Sequence, residues 1–351
     1  MNPTRILILG GAGILGTEVL RALSGTPNLT VEVGGRRGPV RVDLGDPSTY
    51  PALADWDVIV NTADSLTAPP DGALAWVYDR GGTWIETASL PEVFQRTLRL
   101  REVQRPGRLV LGAGVFTGLS NLVAARASSR LQTCSRLDLG VCFSPLSRAG
   151  GGMVELMLEL AGTPATWWEN HTLHHGAPLS PGPLLPVGSA GQRSLGWRAP
   201  FAEVDLLRAS LGTPTLGVHV LPRPAWLGPV FAFTPPGLFR WAPTRKLARL
   251  ALGLLRQVLL RRVSSPVTLI GVARGEDRAV CRLRVGDGLE AGGQMIAALA
   301  LLLVQRPPPS GVHCVDEITD LHTVLEAMAQ LAGVAPEVDL EEDRVGPSGD
   351  V

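Results

Sequence analysis

The sequence is poor in side chains on which several common mechanisms depend. Its 351 residues include one lysine, Lys246, and two tyrosines, Tyr50 and Tyr78. A mechanism that needs a catalytic lysine therefore has one candidate. A tyrosine acid of the Tyr-x-x-x-Lys type is excluded, because neither tyrosine precedes the lysine at that spacing. The formal net charge is zero, with 32 basic and 32 acidic residues, so nothing argues for nucleic acid as a partner.

Cysteines, an export signal and long apolar runs are scarce as well. The four cysteines form no C-x-x-C pair and no zinc-like spacing, which favours a reducing compartment over a disulfide framework. The first strand begins at Arg5, which leaves no room for a signal peptide. No uninterrupted apolar run reaches the roughly 18 residues that span a bilayer. We therefore expect a soluble, cytoplasmic protein without a metal ion, acting on a small molecule.

Glycine, by contrast, is concentrated directly after the first apolar run. Arg5–Leu9 is predicted to be a buried strand, Gly10–Gly16 a turn, and Thr17–Leu23 a helix. In this context G-x-G-x-x-G indicates dinucleotide binding, with a helix N-terminus that donates N–H groups to the pyrophosphate. The alternative is a glycine-rich turn in some other α/β protein. The predicted cofactor-binding residues of the turn are Gly11, Ala12, Gly13, Ile14, Leu15 and Gly16.

The end of the second predicted strand bears on which dinucleotide is bound. Thr30–Val33 is followed by Gly34, where a site for NAD carries an acidic residue, and then by Arg36 and Arg37. A guanidinium fits a 2′-phosphate as a bidentate partner, so the sequence favours NADP(H) over NAD(H). Two alternatives stay open: the two arginines form a solvated loop, or the strand register is shifted so that Glu32 takes the acidic position.

The order of predicted elements changes twice along the chain. Short apolar strands alternate with helices as far as about residue 125, which predicts a doubly wound parallel sheet, a Rossmann domain. The middle then has β-like pieces, helices and two Pro/Gly-rich loops, which predicts an inserted central antiparallel α+β domain, and long apolar helices follow. The predicted divisions are a Rossmann domain (1–130), a substrate and dimer domain (131–286), C-terminal helices packing on the Rossmann half (287–335) and a flexible acidic tail (336–351).

Several motifs in this order resemble one family. The sequence is similar to the saccharopine dehydrogenase-like NAD(P)-dependent oxidoreductases at both ends, over roughly half of its length. The resemblance implies a Rossmann domain, a central domain that binds substrate and forms a homodimer, and a C-terminal helix that returns to the Rossmann half. It is carried by Gly10–Gly16, Val58–Ala63, Gly82–Thr87, Gly112–Asn121, Gly288–Glu290 and Gly311–His313.

The resemblance also implies roles for individual positions. Asn61, Thr62 and Ala63 resemble the loop that lines the phosphate and ribose near the nicotinamide. The segment from Gly114 to Gly118 resembles a turn close to the nicotinamide, and Asp43 resembles an acidic residue beside the adenine end. For each of these, ordinary turn or capping duty is the alternative. Family members often continue the Asn61 loop with Gly-Pro, where this chain has Asp64-Ser65.

Candidates for proton transfer are few. Glu86 follows a strand that ends at the predicted cofactor edge, so it is a candidate for contact with substrate or cofactor, with capping as the alternative. In the central domain, His171, His174 and His175 have a spacing that places imidazoles together on one helix face. Histidine titrates near neutrality, which makes His171 and His174 candidate acids. The alternative is an exposed segment whose histidines only form hydrogen bonds.

The sequence thus predicts an NADP(H)-dependent oxidoreductase that transfers hydride at a C–N, C=C or C=O bond of a small amino-acid-derived or lipid-like substrate. Two alternatives remain. One is a catalytically silent NADP(H)-sensing or scaffold protein. The other is a membrane-surface reductase organised around residues 245–262, a basic, leucine-rich segment that is typical of amphipathic helices. Such a helix is more often packed in the core or in a dimer, with its arginines facing water.

Overall fold

The chain forms two compact units. The structure is a computed structural model that describes residues 3–65, 67–87, 90–144, 162–188, 192–223, 225–226, 228–229, 266–331 and 338–345. Unit 1 comprises Met1–Leu122, Asp205–Ser210 and Leu289–Pro336, and unit 2 comprises Val123–Val204, Leu211–Gly288 and Glu337–Val351.

Unit 1 contains a seven-stranded sheet in which every described pairing is parallel. From one edge to the other, its strands are β3 (Val40–Arg41), β2 (Leu29–Gly35), β1 (Thr4–Leu9), β4 (Val58–Asn61), β5 (Thr83–Glu86), β6 (Arg108–Leu111) and β15 (Gly311–Cys314). The strands are continuous apolar runs because both faces of a parallel sheet are covered; Ile6, Leu7 and Ile8 are all 0% exposed. The predicted doubly wound sheet is confirmed.

Eight helices are described in the chain. The helix that begins at Pro91 ends at Leu98 and continues as a short 3₁₀ turn, Arg99–Glu102. Asp46 caps a 3₁₀ helix, Pro47–Leu53, since its carboxylate accepts a hydrogen bond from the Ser48 backbone at 3.0 Å. The helices are α1 (Ile14–Leu23), α2 (Asp71–Asp79), α3 (Pro91–Leu98), α4 (Ser120–Ser129), α5 (Glu203–Leu211), α6 (Gly288–Gln305), α7 (Val315–Ile318) and α8 (Leu321–Gln330).

Helix α6 is a long apolar helix, although its apolar residues are interrupted by Glu290 and Gln294. It has 18 residues with a mean hydropathy of 1.4, which is long and apolar enough to cross a membrane by length and composition. However, 61% of its residues are buried inside the protein. Gly293 allows α6 to pack closely on α1, since a Cβ there would lie 2.5 Å from the Cβ of Glu18. Packing against α1 therefore accounts for part of its apolar character.

Unit 2 contains a sheet of nine described strands. They are β7 (Arg136–Phe143), β8 (Ala165–Glu169), β9 (Thr172–Gly176), β10 (Pro181–Pro186), β11 (Arg193–Arg198), β12 (Thr215–Pro222), β13 (Val267–Arg274), β14 (Arg278–Val285) and β16 (Val338–Val345). Their order is β10-β11-β12-β7-β13-β14-β16, and β8 pairs with both β12 and β9. The central domain was predicted to be antiparallel, but β7 and β12 run parallel over eight residue pairs. The long connection between these two strands makes the parallel arrangement possible.

The predicted flexible tail at 336–351 is wrong for its central part. Strand β16 pairs with β14 along its whole length. The acidic side chains that suggested a solvated tail are paired here, because the buried Arg282 donates to Glu341 at 3.0 Å and to Asp343 at 2.8 Å. Two of the helices predicted for the middle of the chain fall at residues 153–160 and 243–262. Both ranges, and with them the basic segment 245–262, lie outside the described residues.

Candidate functional site

The predicted cofactor residues lie at the point where the strand order of unit 1 reverses. The chain runs outward from β1 to β3, then returns to β4 on the other side of β1. Ligands of open α/β sheets bind outside the carboxyl ends of the strands at this point. The glycine turn follows β1, and the Asn61–Ala63 loop follows β4, so that the structure brings both to the same edge.

The glycine turn has the tight geometry that its sequence predicts. Gly10 adopts φ +75°, and a Cβ there would lie 2.7 Å from the Ala63 nitrogen. Gly13 donates to the Gly10 carbonyl at 2.8 Å. Gly16 sits against the turn, since its Cβ would lie 2.6 Å from the Gly10 oxygen and 2.8 Å from the Thr62 hydroxyl oxygen. Glycine is therefore required for α1 to start this close to β1.

The N-terminus of α1 faces solvent. Ala12 and Gly13 are exposed, and Ile14 is 67% exposed although it is a large apolar residue. The first N–H groups of a helix have no partner inside the helix and carry a partial positive charge. The exposed turn and helix start therefore fit an anionic pyrophosphate.

The Asn61 loop is held by a buried carboxylate. Asn61 and Glu86 are both 0% exposed and occupy paired positions at the ends of β4 and β5. The Asn61 amide donates to both Glu86 oxygens, and the Trp84 indole donates to one of them at 3.0 Å. The Asn61 side-chain oxygen accepts from the Ala63 backbone at 3.2 Å. Glu86 thus acts on the shape of the loop through Asn61.

Thr62 fastens the same loop to the neighbouring strand. Its hydroxyl donates to the Leu9 carbonyl at 2.7 Å, and its backbone N–H donates to the same oxygen at 2.9 Å. Asp64, which stands where the family often has glycine, is exposed and accepts from the Thr67 hydroxyl at 3.0 Å. The loop is therefore held by side-chain hydrogen bonds at both Thr62 and Asp64.

Strand pairing settles the register at the end of β2. Leu9, the last residue of β1, pairs with Gly34, and Glu32 pairs with Leu7, two positions before the edge. A Cβ at Gly34 would lie 2.6 Å from a Leu9 methyl carbon, so a longer side chain does not fit there without a shift. Arg36 and Arg37 follow at the edge, and both are exposed. The edge after β2 thus presents cations and no carboxylate at Gly34.

Asp43, the predicted residue at the adenine end, takes part in a local turn. Its carboxylate accepts from the Gly45 backbone at 3.0 Å, and its own backbone N–H donates to the Thr49 hydroxyl at 2.9 Å. The side chain is half-buried. These contacts give Asp43 the structural role in a turn that the sequence also allows. Its contact with the adenine end of a cofactor stays a prediction.

The second glycine turn follows β6 at the same edge. A Cβ at Gly112 would lie 2.0 Å from the Thr117 carbonyl oxygen, and Thr117 itself has φ +58°, which is strained for a β-branched residue. Gly114 has φ +117° and donates to the Met295 sulfur at 3.1 Å. A Cβ at Gly118 would meet Ala113 at 3.0 Å. The turn is compact and backbone-lined, as its glycines predict.

The histidine cluster does not lie on a helix, so that prediction is wrong. β8 and β9 form a hairpin whose two turn residues, Asn170 and His171, both have positive φ, as a two-residue hairpin turn requires. His171 is exposed at the tip, and His174 stacks on Trp167 with ring centroids 5.6 Å apart. Within the described ranges, no group of three or more His, Cys, Asp or Glu residues could hold a metal ion.

Sequence inspection missed a buried charged network in unit 2. His219 Nε2 lies 3.0 Å from Asp138, and the Arg136 guanidinium donates to both carboxylate oxygens at 2.7 and 3.2 Å. Burial opposes ionisation of Asp138, but the hydrogen bonds from His219 and Arg136 hold its pKa well below the usual range. Gly182, Gly196 and Gly217 make room for the imidazole. The residues are up to 83 positions apart in sequence, and no local motif signals them.

Comparison with known proteins supports the fold and assigns no family to the chain. No protein-family model matches the chain, and no curated protein matches it. Apo saccharopine dehydrogenase (L-Glu forming) from Saccharomyces cerevisiae is similar at a TM-score of 0.65 with 11% identity, over 98% of this chain and 100% of that one. The chain therefore has a saccharopine dehydrogenase-like fold, as its motifs predicted.

Other solved dehydrogenases are similar at lower TM-scores. Amine dehydrogenase from Mycobacterium smegmatis has a TM-score of 0.42 and 11% identity, over 91% of this chain and 96% of that one. Aspartate dehydrogenase from Thermotoga maritima has a TM-score of 0.40 and 12% identity, over 86% and 97%. Both values are below the level at which a shared fold follows.

Proposed function

We propose that this protein is an NADP(H)-dependent oxidoreductase. The observation that carries the proposal is the glycine turn at the reversal point of the sheet, where Gly10 and Gly16 leave no room for a Cβ and the start of α1 is exposed. The saccharopine dehydrogenase-like fold supports it. The preference for NADP(H) rests on Gly34 and on the exposed Arg36 and Arg37 at the end of β2.

Each part of the edge has a distinct task in this proposal. The bound dinucleotide supplies hydride chemistry. Gly11–Gly16 binds the pyrophosphate through backbone N–H groups, and Arg36 and Arg37 neutralise the 2′-phosphate. Glu86 is a positioning residue, because its carboxylate contacts Asn61 and Trp84 and holds the Asn61–Ala63 loop. The substrate remains a proposal by class: a small amino-acid-derived or lipid-like compound reduced or oxidised at a C–N, C=C or C=O bond.

A catalytically silent NADP(H)-sensing protein is the second candidate. It is favoured by the use of Glu86 in holding the loop, and by the position of His171 at an exposed hairpin tip. Both candidates bind the dinucleotide. They differ in whether the bound NADPH is oxidised by any member of a panel of imines, keto acids and enones. A homodimer, a cytoplasmic location and attachment to membranes stay predictions.

The deciding experiment is calorimetric titration of the purified protein with NADPH, NADP⁺, NADH and NAD⁺. We expect the NADP forms to bind more tightly than the NAD forms. Gly13→Val is the matched variant, since Gly13 is exposed and a Cβ there meets only the Gly10 oxygen, at 3.1 Å. It should keep the circular dichroism of the wild type and lose dinucleotide binding. If folded, nucleotide-free wild type binds none of the four, the proposed function is wrong.

A further inference from the structure

The proposed function does not use a shallow hollow on unit 2. The hollow lies on one face of the nine-stranded sheet, where side chains of β7, β8, β11 and β12 stand together. Its volume is about 280 Å³ including the part open to solvent, so that it admits a small group rather than a whole dinucleotide. The ionisable side chains that line it are those of Arg136, Asp138, Glu169, Arg198 and His219.

Glycine at position 217 keeps the middle of the hollow open. Gly217 pairs with Asp138 of β7 on one side and with Trp167 of β8 on the other. The side chains at these two positions therefore stand on the same face of the sheet, about 10 Å apart across β12. A Cβ at Gly217 would lie 2.9 Å from His219 Nε2, so a larger residue would have to displace the imidazole.

A guanidinium group stands on each side of this open space. Arg136 donates through Nε and Nη2 to Asp138, at 2.7 and 3.2 Å, and its Nη1 has no acceptor among the described residues. Arg198 lies 4.6 Å above the Trp167 ring and donates through Nη1 to the Pro181 carbonyl at 2.9 Å. Its Nε and Nη2 have no acceptor in the described part of the chain. Both arginines are partly exposed, so these donors are available to a ligand.

The carboxylates of the hollow do not satisfy these donors. Both oxygens of Asp138 are already engaged, by Arg136 and by His219, and its side chain is 2% exposed. Glu169 is exposed and lies beyond ion-pair distance of both arginines, and it acts on Arg136 only through space. Water and salt weaken the interactions of such an exposed carboxylate. Arg198 therefore has no anionic partner among the described residues.

We propose that this hollow is a second ligand site, which binds the phosphate or carboxylate group of a small molecule. Arg198 makes the main contact through Nε and Nη2, the side of a guanidinium that matches two oxygens of such a group. Arg136, which Asp138 holds in place, makes the opposing contact through Nη1. The site lies wholly within unit 2 and needs no dinucleotide, so it goes beyond the proposed function and does not rest on it.

The test is an NMR titration of the whole protein, labelled with ¹⁵N at tryptophan, with inorganic phosphate and with acetate at constant ionic strength. The indole N–H signal of Trp167, assigned by its loss in Trp167→Phe, should shift and saturate, because the ring lies under Arg198. Trp56 and Trp76 are internal controls, since each also carries an arginine above its ring, at 4.6 and 4.1 Å. The anion that saturates at the lower concentration identifies the preferred group.

Three variants assign the effect to the hollow. Arg198→Gln should weaken binding about tenfold or more. Arg193→Gln makes the same change at an exposed position of β11 outside the hollow and should bind as the wild type does. Glu169→Gln removes a like charge near the anion and should tighten binding about twofold to fivefold. Because Glu169 is exposed, this variant also serves if Arg198→Gln does not fold.

The outcomes separate a built site from general attraction of anions to arginine. A saturable shift of Trp167 without a matching shift of Trp56 and Trp76, weakened in Arg198→Gln, supports the inference. Equal shifts of all three indoles, no shift of Trp167 with either anion, or unchanged binding in Arg198→Gln overturns it. If Arg198→Gln does not fold, unchanged binding in Glu169→Gln overturns it instead. None of these results bears on dinucleotide binding at the glycine turn, which is tested separately.

Discussion

Asn61 donates its amide group to both carboxylate oxygens of Glu86, at 3.1 and 2.9 Å, across two paired strand ends. The contact is fully buried, and the Trp84 indole adds a third donor. A carboxylate is the one side-chain group of this size that only accepts hydrogen bonds. The glutamate is therefore matched to its neighbours, and the Asn61–Ala63 loop depends on it.

Replacing Glu86 by glutamine keeps the size of the side chain but removes its negative charge. The amide of Glu86→Gln would turn a donor toward the Asn61 or Trp84 donors, so we expect a loss of about 1–3 kcal/mol in the free energy of unfolding. Dinucleotide affinity should fall with it, because the loop loses its support. Urea unfolding and calorimetry measure both, with Glu102→Gln, at an exposed position, as the control. Unchanged stability and affinity would show that the loop does not rely on the carboxylate.

We predict that dinucleotide binding requires glycine at position 16, in the first turn of α1, because the backbone of the turn packs directly against it. In Gly16→Ala the added Cβ would lie 2.6 Å from both the Gly10 oxygen and the Gly11 Cα, which are backbone atoms that must shift. We expect dinucleotide affinity to fall about tenfold or more, equal to about 1.4 kcal/mol. Gly188→Ala is the control, since its Cβ would meet only the Gln192 side chain, at 3.4 Å or more. Wild-type affinity in Gly16→Ala would refute this account of the turn.

Strand β1, the glycine turn and helix α1 could be predicted because the sequence pattern of each is local. The apolar run of β1, the glycines and the start of α1 are contiguous, and strands buried on both faces read as continuous apolar runs. The end of β2 was less certain. Only the pairing of Leu9 with Gly34 decides between Gly34 and Glu32, and a register is set between strands.

Other parts could not be predicted because they depend on partners distant in sequence. The spacing of His171 and His174 suits a helix, yet the segment forms a hairpin in which Trp168 pairs with Leu216 of β12. The acidic composition of the tail predicts a solvated segment, but Glu341 and Asp343 pair with Arg282, about 60 residues earlier in the sequence.

The coenzyme preference makes a prediction at Arg36. Replacing it in Arg36→Asp puts a carboxylate where a 2′-phosphate is expected, which repels the phosphate and can accept from a ribose 2′-hydroxyl. The ratio of NADPH to NADH affinity should fall by about tenfold to a hundredfold. Arg99→Asp makes the same charge change at an exposed position outside the edge and should leave the ratio unchanged. An unchanged ratio in Arg36→Asp would mean that Arg36 lies in a solvated loop.

The buried network of unit 2 makes a prediction about stability and pH. Asp138→Asn leaves Arg136 and His219 without their anionic partner, and breaking a buried charged network costs about 3–5 kcal/mol. The pKa of Asp138 is lowered in the folded protein, so its contribution is complete above the ordinary value of about 4 and declines as the pH falls toward the folded value. The gap in stability between wild type and variant should therefore be constant, as far as Asp138 sets it, from about pH 8 to about pH 5, and narrow below about pH 4.

Urea unfolding at a series of pH values measures that gap. Glu276→Gln, which neutralises an exposed carboxylate in the turn between β13 and β14, is the control and should stay within about 0.5 kcal/mol of wild type. A gap below that value at neutral pH would mean that Asp138 gains no net stability from its two partners. A gap that widens below about pH 4, where Asp138 itself titrates, would contradict a lowered pKa of Asp138 in the folded protein.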